Sequence, residues 1–237
     1  MAHAQKTPIL LELFTSEGCS SCPPVDVWAE RLEAAQPIAG AEIIVLSEHV
    51  NYWDHDGWKD PFSSDQLTAR QREYGTLLGL SDDYTPQVIL DGDAEVHPQN
   101  GALTKQSLEK AAGVPMMAVR IDGAALASGE LTGRVVADGS GQKHGGDVYI
   151  VVALDKTMTD VLAGENDGKK LTNVAVVRNL VKVGKLEKGK AFDQPFHVKL
   201  WDGVDPANLR VVAFVQGSDL GKVLGVAMTK EIGRGGN

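Results

Sequence analysis

The chain has 237 residues, 43% hydrophobic and 23% charged, and a net charge of −9 from 23 basic and 32 acidic side chains. That is the composition of an ordinary globular protein with one large domain or two small ones. No run approaches the ~18 apolar residues of a transmembrane helix, and no Lys/Arg-rich block suits a nucleic acid partner.

Ala2-His3-Ala4 has the A-x-A form that ends a secretory signal, with Gln5 as the mature start. The expectation is therefore a periplasmic or secreted protein, with its two cysteines in an oxidising compartment. Residues 8–15 form a short apolar run suited to a buried strand. Pro23 and Pro24 then open a helix, in the turn where a missing N–H costs least. Val25, Trp28, Leu32 and Ala35 give that helix an apolar stripe over 23–36. Residues 42–49 read as a second buried strand, so strand, helix and strand make a βαβ unit with parallel strands.

Residues 50–64 are irregular and hold Tyr52, Trp53, Trp58 and Phe62, which argue against disorder. Ser63 and Gln66 fit a capping box for a helix carrying Leu67, Gln71, Tyr74 and Leu78. Gly79 suits its C-terminal cap. After a loop come Pro86, a short apolar strand and an Asp91-Gly92 turn, from which 94–97 return as a hairpin. A helix near 104–112 closes this β-α-β-α-β-β-α series. Beyond Gly113 the candidate strands are 114–121, 131–137, 147–154, 171–183 with an interruption, 195–200, 208–216 and 223–229, with no amphipathic helix between them. Short strands separated by Gly/Asp/Asn turns suggest an antiparallel sandwich. The expected organisation is an α/β domain over 5–113 followed by an all-β sandwich-like domain over 114–230.

Chemistry centres on Cys19-Ser20-Ser21-Cys22. A bond between cysteines so close in sequence closes a very small loop, which stabilises least, so redox or metal chemistry is favoured over a structural staple. The thiolate is the reactive form, and a helix N-terminus supports it. Glu17 works against it, since a nearby carboxylate disfavours the thiolate. His49 ends the second strand on the edge where Cys19 and Cys22 sit. Protonated it lowers a thiol pKa, neutral it binds a metal, and otherwise it only bonds its own loop. Tyr52, Trp53 and Trp58 either floor a peptide-binding cleft or pack the long segment down. Asp54, His55, Asp56, Asp60 and Asp65 make an acidic neighbourhood, read as a solvated loop or a cation site.

ELFTSEGCSSCPP at 12–24 resembles the opening motif of a bacterial family of secreted thioredoxin-like proteins of unknown function. HVNYWD at 49–54, WKDP at 58–61, Arg70-Gln71, Tyr74, YTPQ at 84–87, GENDG at 164–168 and VVR at 176–178 resemble its further motifs. The resemblance implies a thioredoxin-like domain with an all-β extension, a cis Pro86 whose Thr85 loop faces the dithiol, and roles for Cys19, Cys22 and Pro86. It brings no reaction. Ser-Ser stands where thioredoxins carry Gly-Pro, and the proline after Cys22 is doubled, which leaves the redox direction open.

Three functions follow as alternatives. The first is an exported thiol–disulfide oxidoreductase, with catalytic Cys19 and Cys22, a binding surface of Thr85, Pro86, His49 and Trp53, and a protein thiol or disulfide as partner. The second is a non-catalytic binding or adaptor protein with a structural disulfide. The third is a soft-metal module holding copper through Cys19, Cys22 and His49, with His97 or His55 as a fourth ligand. No cofactor and no resident metal site are assigned. Glu165 and Arg178 are read as pairing at the domain junction rather than as catalysts.

Overall fold

The computed structural model describes residues 6–218 and 220–234. The expected signal end at Ala2–Ala4, and Gln5, lie outside them. The protein is mixed α/β with large sheets. The first half runs β1 (Thr7–Thr15), α1 (Pro23–Ala35), β2 (Ala41–His49), α2 (Asp65–Leu78), β3 (Gln87–Leu90), β4 (Ala94–Val96) and α3 (Gly101–Ala112). Then come β5 (Val119–Ala127), β6 (Glu130–Asp138), β7 (Gly146–Asp160), β8 (Lys170–Leu186), β9 (Ala191–Lys199), β10 (Leu209–Gly217), β11 (Val223–Thr229) and β12 (Gly233–Arg234). Two compact units divide the chain: Met1–Pro115 with Lys156–Val176, and Met116–Asp155 with Val177–Asn237. The end of β7, the start of β8 and the turn joining them therefore belong with the first unit.

In that first unit β1 lies between parallel β2 and antiparallel β3, and β4 pairs with β3. β2 also meets β8 in parallel at Ser47 and Val176. Side chains alternate between faces along a strand. Ile9, Leu11 and Leu13 of β1 pack with Ile43 and Val45 of β2 against α1 and α3, through Val25, Ala29, Leu32 and Leu108. Each such side chain removed from water is worth about 1.5–3 kcal/mol. The other face of β1 carries Phe14, which meets the Tyr74 ring of α2 edge-on at 6.0 Å, and Glu12. Arg70 Nε of α2 donates to Glu12 Oε1 at 2.7 Å, and Tyr74 Oη to Glu12 Oε2 at 2.6 Å. Glu48 of β2 lies 3.7 Å from Arg70. Burial and the neighbouring Glu12 push the Glu48 carboxyl well up, against the pull of Arg70.

The second unit holds antiparallel β7–β10–β11 and a four-stranded sheet in the order β12–β5–β6–β9. Val148, Ile150, Val211, Ala213 and Val215 of the first set and Leu131, Val135, Phe196 and Val198 of the second share one apolar cluster.

Several boundaries differ from the sequence reading. The cap of α2 is Ser64, whose Oγ accepts from Gln66 N–H at 3.2 Å. Ser63 instead donates its hydroxyl to Asp54 Oδ2 at 2.8 Å. α3 begins at Gly101 because the Asn100 side chain caps it through Leu103 N–H. The expected strand 114–121 begins only at Val119 and runs through Gly123, whose φ of +62 makes a bulge rather than a turn. β7 continues to Asp160 along Asp155-Lys-Thr-Met-Thr-Asp160, whose nearly uniform polarity hid it. β9 starts at Ala191, upstream of Pro195, which an edge strand tolerates.

Candidate functional site

Cys19 and Cys22 lie in the turn between β1 and α1 and form a disulfide, with Cα atoms 5.5 Å apart. Both residues are fully buried, whereas Ser20 and Ser21 between them are exposed. Cys22 occupies the N-cap of α1, and its carbonyl accepts from Val25 and Asp26 N–H at 2.8 and 3.1 Å. Its own N–H donates to the Cys19 carbonyl at 3.3 Å. Pro23 and Pro24 fill the first two helical positions, so two of the N–H groups that ordinarily face an anion there do not exist.

The Thr85–Pro86 bond is cis. The Thr85 carbonyl faces the disulfide, 3.8 Å from Cys19 Sγ, and accepts from Ser21 Oγ at 3.4 Å. Ser21 Oγ is itself 3.3 Å from Cys19 Sγ. Trp53 Nε1 donates to Thr85 Oγ1 at 2.7 Å. The backbone of Trp53 also crosses Gly18 so closely that a Cβ there would sit 3.0 Å from Trp53 Cβ. The fold thus gathers Cys19, Cys22, Thr85, Pro86 and Trp53.

His49 joins this group less directly. Its Nδ1 is 2.7 Å from Asp60 Oδ2, and its ring meets Phe62 edge-on. Asp60 Oδ2 also accepts from Glu17 N–H at 2.8 Å, which links the histidine to the cysteine turn through one carboxylate. Burial works against the imidazolium, but Asp60 outweighs it and raises the His49 pKa. Burial likewise opposes the Asp60 charge, yet His49 holds its pKa down. His49 Nε2 is buried with no hydrogen-bond partner.

Three further buried groups line the turn: Glu17, which the sequence offered only as a carboxylate acting against a thiolate, and Asp26 and Asn166, whose places it did not disclose. Asp26, on the first turn of α1, accepts from Thr15 Oγ1 at 2.8 Å. Burial raises its pKa to about 7, against the pull of Thr15 and His49. Glu17 accepts from Trp58 Nε1 at 3.1 Å, and burial with Asp60 nearby raises its pKa. Asn166, fully buried, donates through Nδ2 to the carbonyls of Glu17 and Cys19 at 2.8 and 3.0 Å. Asn166 belongs to a 3₁₀ turn, Gly164–Asn166, in the segment between β7 and β8. Gly164 (φ +75) lets that turn approach Asp56 and Trp58, where a Cβ would sit 3.0 Å from the Asp56 carbonyl oxygen. Glu165 on the same turn accepts from Ser20 N–H at 3.0 Å. An acidic residue within an otherwise apolar first turn was the available signal for Asp26. The GENDG motif was visible, but its destination was not.

The acidic neighbourhood is engaged internally: Asp54 takes Asp60 N–H and the Ser63 hydroxyl, and Asp65 takes the Asn51 amide. His55 is exposed, and so is His97, beside Glu95. Among the described residues no three His, Cys, Asp or Glu side chains are grouped to hold a metal ion. No described helix is long and apolar enough to cross a membrane. Arg178, in the second unit, lies over the Trp201 ring at 5.3 Å.

A family model described as a protein of unknown function, DUF1223, matches residues 10–216. The chain belongs to the DUF1223 family. No curated protein matches the sequence. Among solved structures, a structural-genomics protein from Agrobacterium tumefaciens is similar at 23% identity and a TM-score of 0.72, covering 94% of each chain. HBP35 of Porphyromonas gingivalis is similar at 17% identity and a TM-score of 0.70, covering 95% of this chain and 75% of its own. At these identities the likeness is one of fold, so any activity of this DUF1223 member has to be argued from its own residues.

Proposed function

We propose that this DUF1223 protein is an exported thiol–disulfide oxidoreductase, with a thioredoxin-like domain over 5–113 to which residues 156–176 are added, and a β-sandwich domain made of the rest of 114–230. One observation carries the reading: the Cys19–Cys22 disulfide at the start of α1 faces the carbonyl that precedes a cis proline. A reactive dithiol there meets an extended backbone at the Thr85–Pro86 loop, and Trp53 supports that loop. In the reducing direction the Cys19 thiolate attacks a substrate disulfide, forming a Cys19–substrate bond and releasing one substrate thiolate. The Cys22 thiolate then attacks Cys19 Sγ and releases the second. The substrate gains two electrons and takes two protons from solvent, and the pair becomes the disulfide. A substrate dithiol runs the sequence backwards. Thiol exchange of this kind proceeds through a mixed disulfide, so a Cys22→Ser variant is expected to trap one on Cys19. No trapped adduct, together with no reduction of insulin by the dithiol form, sinks the reading.

Complete burial of both cysteines favours a second reading, a structural disulfide in a binding protein. Alkylation of the reduced, folded protein separates the two. Reaction at Cys19 supports exchange, and a thiol inert until unfolding supports the staple. The soft-metal reading has less behind it, since both sulfurs are joined in the disulfide and, among the described residues, no three His, Cys, Asp or Glu side chains are grouped to hold an ion. Copper bound by the reduced protein and lost on Cys22→Ala is the result that would revive it.

A further inference from the structure

The turn that carries Glu165 and Asn166 does more than fill space around the disulfide. Asn166 fixes the Glu17 and Cys19 carbonyls, and Lys169 Nζ in turn donates to Asn166 Oδ1 at 2.8 Å. That anchorage places the exposed Glu165 carboxylate on the N–H of Ser20, the residue after Cys19. The hydrogen bonds from Ser20 hold Glu165 below the usual carboxylate range, so it is ionised at neutral pH.

A thiolate on Cys19 needs N–H or O–H donors. The helix supplies few, because Pro23 and Pro24 have no N–H and the Cys22 N–H is on the Cys19 carbonyl. The Ser20 N–H is taken by Glu165 and the Ser21 hydroxyl is shared with the Thr85 carbonyl. Charged or titratable groups approach the turn from every side: Glu17 on the turn, Asp26 on α1, His49 on β2, Asp60 after it, and Glu165 with Lys169. Asp60 and His49 offset one another, and Lys169 is bonded to Asn166. Glu165 alone among these acids sets its side chain on an N–H beside the first cysteine.

We propose that Glu165 is a positioning residue that disfavours the Cys19 thiolate and so biases the pair toward the disulfide, making the dithiol form a reductant of protein disulfides. The inference assigns a direction to the chemistry of the preceding subsection, on which its biological meaning rests. The acceptor is a substrate disulfide. Regeneration needs a dithiol reductant acting on the Cys19–Cys22 bond.

The test is equilibration of the full-length protein with glutathione buffers, followed by acid quench and labelling after denaturation. Wild type is compared with Glu165→Ala, which frees the Ser20 N–H, and Glu165→Gln, which keeps an acceptor but removes the charge. Glu165→Ala is expected to shift the equilibrium at least tenfold toward the dithiol, about 30 mV for a two-electron couple, with Glu165→Gln between. The pH midpoint of Cys19 alkylation in the reduced protein is expected to fall in the same order. Equilibria for both variants within twofold of wild type overturn the proposal. Because Glu165 is exposed, the urea midpoint of the oxidised protein should not move, which separates a tuned potential from a damaged fold. Failure of this inference is distinct from failure of the catalytic reading. A Glu165-sensitive potential without insulin turnover removes only the catalyst, and turnover with an insensitive potential removes only the role of Glu165.

Discussion

Two buried polar clusters hang from opposite faces of β1 and β2, and they are built on different cations. On the α2 face, Glu12, Glu48 and Tyr74 surround Arg70. On the α1 face, Asp26, Glu17 and Asp60 surround His49. Acids outnumber the base in both. A guanidinium keeps its proton under any condition in which the protein folds, so the first cluster is fixed and acts as a fastener. The Asp26 carboxyl, pushed up to about 7, exchanges its proton within the physiological range, so the second cluster is adjustable, and it is the one tied to the cysteine turn through Asp60 and Glu17.

The largest expected effect comes from breaking the fixed cluster. Arg70→Met leaves Glu12 buried without its partner and should cost about 3–5 kcal/mol in urea unfolding. Restoring more than half of that loss by adding Glu12→Gln would confirm the charge as the cause. The adjustable cluster should behave oppositely. Asp26 has a folded pKa of about 7 against an ordinary 3.8, so the folded state holds an extra proton across that window. Stability therefore falls as pH rises from about 4 to 7 and is level above it. Asp26→Asn keeps an acceptor for Thr15 and should be more stable than wild type at pH 8 by a few kcal/mol, with no difference near pH 4. An Asp26→Asn variant equal to wild type at pH 8 would erase the distinction between the clusters. Removing the disulfide with Cys19→Ser and Cys22→Ser should cost about 2 kcal/mol, as the chain-entropy model gives for so short a loop.

Smaller changes set the baseline outside both clusters. Ser64→Ala removes the α2 cap and should cost about 1 kcal/mol. Lys156→Ala breaks the exposed pair with Glu30 and should change the unfolding free energy by less than about 1 kcal/mol.

The fixed cluster and the adjustable one were not equally legible. Apolar runs announced β1 and β2, Pro23-Pro24 announced α1, and Gly79 ended α2 where its φ of +67 requires a glycine. The cysteines and Pro86 were visible because each has a chemical property no neighbour shares. Arg70 and Glu12 appeared only as letters of a motif, since nothing local tells a buried charge from a solvated one. Asp60 was read as a loop acid for the same reason, although His49 gives it a specific task. Glu165 and Asn166 were least legible, because their partners lie 145 and 147 residues away in the chain.

That separation also sets a schedule. Synthesis proceeds from the N-terminus, and segments that lack their partners wait for them. Cys19 and Cys22 emerge early, with β1 and α1, while the turn that secures the Cys19 carbonyl emerges well over a hundred residues later. The cysteine turn therefore gains the hydrogen bonds of Asn166 only after the chain beyond β7 has been made.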